Sequence, residues 1–152
     1  MEITRNIENF KRAETVKFRK TNMKGKISIF GGKDDPGMKH EEGLALFEHD
    51  EADRWPDLFN VRSVDLSEGT SKRLRDDAMY FAYRFDKSNA TRRTLQHIPW
   101  IFRNLSTGKM VMARLVDWGP HERTGRTFDV SPRVAQLLKV KTDDELEAYP
   151  VI

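Results

Sequence analysis

Residues 97–118 constrain the fold most: two apolar runs, HIPWIFRNL and MVMARLVDW, are separated only by Ser-Thr-Gly-Lys at 106–109. Ile98, Trp100 and Phe102 fall at every second position, the period at which strand side chains share a face. A four-residue connection containing glycine is short enough to return the chain antiparallel to itself. The segment therefore predicts a β-hairpin. Pro99 stands near the start of its first strand, where a missing N–H does least harm. A hairpin buries only one apolar face and needs further strands to complete a core.

The rest of the chain supplies them. GKISIFGG (25–32) predicts a strand running into a glycine turn, and AMYFAYRF (78–85) an aromatic-rich strand. GLALF (43–47) reads as a strand, and DEADRWPDLF as a short helical turn with Trp55 and Phe59 facing inward. Residues 60–77 are polar and read as an irregular connection. SPRVAQLLKV (131–140) begins a helix: Ser131 can cap the open N–H groups and Pro132 occupies the first turn. Val134, Ala135, Leu137 and Leu138 make its apolar face. LEAYPVI closes the chain as a strand. The expected fold is mainly β, a small barrel with short inserted helices.

Charge divides the chain further. Residues 1–26 hold eight Lys/Arg against three Glu, whereas 41–60 hold seven acids against one Arg. We therefore expect a basic N-terminal arm over 1–24 and a barrel domain over 25–152 carrying an acidic insertion around 41–77. The arm is either a contact for an anionic partner or a solvated terminus. Nucleic acid is the weaker partner choice, because the acidic segment and a net charge of only +3 oppose it. No apolar run approaches the roughly 18 residues of a membrane span. The first twenty residues lack the apolar segment of a signal peptide, so synthesis in the cytoplasm is expected. The chain has no cysteine, and His40, His49, His97 and His121 show no ligand spacing. No metal or cofactor is expected.

Asp117 and Asp129 are the candidate catalytic residues. Both lie in the stretch LVDWGPHERTGRTFDVS: Asp117 ends an apolar run, and Asp129 is carried by the apolar stretch that the chain re-enters after a charged loop. Two readings of each stand. Facing a common groove, an acid held partly out of water can act in proton transfer to a glycosidic oxygen. Alternatively, each accepts N–H bonds from its own turn or the following helix. Asp34 and Asp35 form a weaker acidic pair in a Gly/Pro loop. Trp118 and Trp100 are either platforms for a sugar ring or core residues. His121 shares the loop of Glu122 and Arg123 and is either a ligand contact or solvated.

These residues carry a resemblance. Asn104 to Lys109, Asp117 to Pro120, Arg126, and Asp129 with Ser131 before the helix resemble the double-psi β-barrel domain of rare lipoprotein A. The likeness extends more loosely to expansins. It covers 92–140 well and 25–32 loosely. The resemblance implies a six-stranded double-psi β-barrel with a surface groove for glycan strands, typically peptidoglycan. In lytic members an acid protonates the glycosidic oxygen while the sugar's own hydroxyl displaces it. Carried over, that chemistry falls on Asp117 and Asp129, both lining the groove. The lytic members' His-Lys-Thr-Leu segment corresponds to Arg92-Arg93-Thr94-Leu95, so their His position holds Arg92.

The sequence thus points to a cell-wall-directed barrel that binds peptidoglycan strands or cleaves them in the manner of a lytic transglycosylase. Arg92, Trp118, His121, Arg123 and Arg126 are its candidate substrate-binding residues, the arginines for carboxylates of wall peptides. The absence of a signal peptide suits a phage particle component, assembled in the cytoplasm and meeting the wall from outside. The alternative is a structural barrel without chemistry, for instance in a phage tail or baseplate, whose partners are other subunits of the assembly. The cell-wall reading is preferred because both acids and the loop framework occur together.

Overall fold

The computed structural model describes residues 22–32, 55–60, 73–85 and 97–151. The basic arm up to residue 21, the strand expected at 43–47, Asp34, Asp35 and Arg92 lie outside the described residues.

Six strands close into a barrel: β1 (Met23–Ile29), β4 (Tyr80–Ala82), β5 (Pro99–Arg103), β6 (Met110–Asp117), β7 (Phe128–Val130) and β8 (Glu145–Pro150). Around the barrel the order is β1-β7-β4-β6-β5-β8. The pairs β1/β7 and β4/β6 are parallel; the other four contacts are antiparallel. Parallel neighbours require the chain to cross the barrel between them, whereas β5 and β6 are joined by the predicted hairpin turn. Beside the barrel, β2 (Phe59–Asn60) and β3 (Arg73–Leu74) form a two-stranded ribbon. One α-helix, α1 (Pro132–Leu138), is present among the described residues.

The alternation read in the hairpin is what fills the barrel. Ile98, Trp100 and Phe102 are wholly buried, and Ala113 and Leu115 meet them from β6. Phe81 lies at the centre of an aromatic cluster with ring centroids at 4.7 Å (Phe102), 5.4 Å (Trp100), 6.1 Å (Tyr83) and 6.4 Å (Phe128). Each such side chain contributes roughly 1.5–3 kcal/mol by burial. Trp100 is accordingly a core residue, and its candidacy as an exposed sugar platform is corrected.

Several boundaries also differ from the sequence reading. β1 begins at Met23, because Met23 and Lys24 pair with Ala148 and Glu147 of β8. The barrel therefore takes the last two residues assigned to the arm. β4 is shorter than the aromatic run that contains it: Phe85 N–H donates to the Tyr83 carbonyl at 3.0 Å, a tight turn that ends the ladder. The polar connection 60–77 is not irregular throughout, since its ends pair as β2 and β3, with Phe59 and Leu74 in the core. Phe59 does face inward, but from a strand that follows a turn at 56–58. Leu137 is exposed, roughly 100° around α1 from the centre of the face made by Val134, Ala135 and Leu138.

The helix start is as expected: Ser131 Oγ accepts from Val134 N–H at 3.2 Å, with Pro132 in the first turn. The other end of α1 is tied to the hairpin turn. Buried Asn104 donates from Nδ2 to the Leu138 carbonyl (2.8 Å) and accepts at Oδ1 from Ser106 N–H (3.0 Å). Asn104→Ala removes both bonds and strands a helix-end carbonyl. A loss of about 1–3 kcal/mol is expected in urea denaturation, and no loss would mean that water replaces the amide.

Candidate functional site

Strand register brings the two aspartates together. Ala82 of β4 pairs with Asp117 of β6 on one side and with Asp129 of β7 on the other. Asp129 in turn pairs with Ser28 of β1. Residues opposite one another in neighbouring strands project to the same face, so Asp117, Ala82, Asp129 and Ser28 form one row. The row lies on the outer face, because Ile27, Phe81, Phe128 and Val130 beside it are buried in the core. Two strand spacings separate the backbones of Asp117 and Asp129, roughly 10 Å.

A bulge sets the orientation of Asp117. Along β6, Ala113 and Leu115 point inward, and strict alternation would send Asp117 inward with them. The register instead steps from Phe81↔Leu115 to Ala82↔Asp117, leaving Val116 as an extra residue. Val116 is buried and Asp117 turns outward, half-buried.

The two carboxyl groups are held differently. Asp117 Oδ1 accepts from Trp118 N–H at 2.6 Å, a bond to its own turn. Asp129 Oδ1 accepts a hydrogen bond from Ser28 Oγ. It is Ser131, not Asp129, that caps α1. The loop between the acids folds back over them: buried Gly119 has φ +138°, and a Cβ added there would lie 3.6 Å from Asp129 Oδ2. Only glycine adopts that backbone geometry readily. The Gly119–Pro120 peptide bond is cis.

Arg84, which the sequence reading did not single out, holds this loop. Its Nη1 donates to the Pro120 carbonyl at 2.6 Å and to the Arg126 carbonyl at 2.9 Å. Ser28 and Ala82 were likewise missed, since nothing in the sequence marks either and only the register assigns them to the row. Tyr80, two residues before Ala82, is buried beneath Gly31; a Cβ there would come within 2.2 Å of the Tyr80 hydroxyl.

The substrate-binding candidates fare unequally. Trp118 flanks the row, half-buried, its Nε1 donating to the Phe85 carbonyl at 2.9 Å and its ring packed on the core. His121 is exposed and caps the 3₁₀ turn Glu122–Thr124, Nδ1 accepting from Arg123 N–H at 3.2 Å. Arg123 is exposed on that turn. Arg126 does not reach into the row as a free cation: its Nε and Nη2 grip both oxygens of Asp143 at 2.9 and 3.4 Å.

The hydrogen bond from Arg126 is the main cause holding the Asp143 carboxyl below its ordinary 3.8, and that bond also raises Arg126. A lowered folded-state value means the pair's contribution is present at neutral pH and is lost as pH falls through the folded value. Exposure keeps that contribution small. An NMR titration of the Asp143 side-chain carbon is expected to give a midpoint below 3.8, moving upward in Arg126→Gln; an unmoved midpoint would exclude the pair in solution.

No family model matches the chain, and no curated protein matches it in sequence. Among solved structures, cerato-platanin 3 from M. perniciosa aligns with a TM-score of 0.50 and 13% identity, covering 86% of this chain and 95% of that one. Identity that low speaks to the fold alone. The closed six-stranded order with its two parallel pairs and this likeness agree: the chain is a double-psi β-barrel.

Proposed function

We propose that the chain is a glycan-binding barrel directed at peptidoglycan, in the manner of the rare lipoprotein A-like domains that its Asp117–Pro120 and Asp129–Ser131 motifs resemble. The observation that carries this reading is the outer-face row, in which register sets Asp117 and Asp129 either side of Ala82. Two carboxylates on strands whose backbones stand roughly 10 Å apart suit the hydroxyls of neighbouring sugar units, and half-buried Trp118 beside them suits an apolar sugar face.

Binding fits better than cleavage. The motif's histidine position holds Arg92. The test is sedimentation with purified peptidoglycan sacculi, followed by mass spectrometry of the supernatant. The protein should pellet with sacculi and release no muropeptides. Release of anhydro-muropeptides would convert the binder into a lytic enzyme, and a protein that stays in the supernatant would end the cell-wall reading.

A further inference from the structure

A recess lies further along the same outer face of β6. Arg114 pairs with Tyr80 and Asp117 with Ala82, two ladder steps or roughly 7 Å apart along the strand. Next to Arg114 is a cavity of about 390 Å³, floored by Leu58, Ala78, Met79, Pro99 and Met112, with Asp57 and Arg114 at its polar side. That volume lies within the roughly 300–1,000 Å³ of small-ligand pockets. Arg114 is held in place from two directions: its guanidinium carbon sits 4.5 Å from the Trp55 ring centroid, and Nη1 donates to Asp57 Oδ2 at 3.1 Å. A guanidinium has five N–H donors, and Asp57 takes one of them.

The pairing of charges selects the ligand. A carboxylate would meet Asp57 with like charge, and an ammonium group would meet Arg114. A neutral group with an acceptor beside a donor satisfies both, and the apolar floor adds room for a small alkyl group. That description is a secondary amide with a methyl on its acyl side. We propose that this recess is a subsite for the N-acetyl group of an amino sugar, its carbonyl accepting from Arg114, its N–H donating to Asp57 and its methyl lying on Met79 and Met112. The inference rests on the glycan reading and assigns to this recess the acetamido group by which an amino-sugar strand differs from a glucan. A peptide is the poorer occupant, because the barrel strands beside the recess are closed into a ring and have no edge for an extended backbone to join.

The test uses protein carrying ¹³C-methyl methionine, titrated with a β-1,4 N-acetylglucosamine pentamer, with cellopentaose, and with N-acetylalanine methylamide. The Met79 and Met112 methyl signals should shift saturably with the first and not with the second, while Met23 in β1 stays fixed. Arg114→Gln should weaken that response about tenfold, the loss of one charge-assisted hydrogen bond. Asp57→Asn keeps an acceptor and should retain most of it, whereas Asp57→Leu should not. Equal shifts with cellopentaose, or shifts with the peptide amide alone, would overturn the assignment. If the Trp118 indole signal responds to the N-acetylated pentamer but the methionines do not, the glycan reading stands and the subsite falls. If neither responds, both fall together.

Discussion

Phe81→Ala is expected to destabilise the protein by about 3–5 kcal/mol, the usual range for removing a buried aromatic ring. Phe81 is wholly buried in the short strand between β6 and β7. Its ring touches Trp100, Phe102, Tyr83 and Phe128. These rings come from three stretches of chain, β5, β7 and the end of Phe81's own segment, so truncation leaves a void that no single side chain can close. Phe102 and Phe128 also meet each other edge to face at 5.1 Å, which fixes them in position and limits collapse into the gap. Domains of this size are stable by only about 5–15 kcal/mol, so the loss is a large share of the whole. Urea denaturation should show a lowered midpoint with an unchanged slope. A loss below about 1 kcal/mol would mean that the barrel is not built around this cluster.

The core was legible because its signal is local. Ile98, Trp100 and Phe102 alternate within five residues, and the turn that pairs them with β6 follows at once. Ser131 and Pro132 announced α1 for the same reason. The site is different. Asp117 stands out as the acid that ends an apolar run and Asp129 as the acid within one, but their shared row depends on Ala82, which lies 35 residues before Asp117 and between their strands. Ser28 enters the row through a parallel pairing across the barrel. Parallel register carries no turn-length signal, and the Val116 bulge defeats a count of alternation along β6. Arg126 shows the limit of reading charge from sequence: it lies where a ligand carboxylate was expected, and Asp143 occupies it. Arg114, with the same chemistry, carries no such mark in the sequence, because it stands between the buried Ala113 and Leu115 of a strand.

Asp117→Asn and Asp129→Asn are each expected to weaken glycan binding about five- to tenfold, the roughly 1 kcal/mol by which a hydrogen bond to a charged group exceeds one to a neutral group. Asparagine preserves shape, and its carbonyl can still accept from Trp118 N–H in one case and from Ser28 Oγ in the other. Both side chains are half-buried on the outer face, so thermal stability should change little and affinity much. That separation is the point of the substitution: a residue that merely braces its turn would show the reverse. The double variant adds a second discrimination. If one glycan strand spans the row, its contacts at the two acids are made together, and the double loss should fall short of the sum of the single losses. Salt supplies the third. Hydrogen bonds from neutral hydroxyls to these carboxylates should hold between low and physiological ionic strength, whereas attraction of a cationic partner would fade as the charges are screened. Unchanged affinity for sacculi in both single variants would remove the two aspartates from the binding surface and leave them as braces of the loop that Arg84 clamps between them.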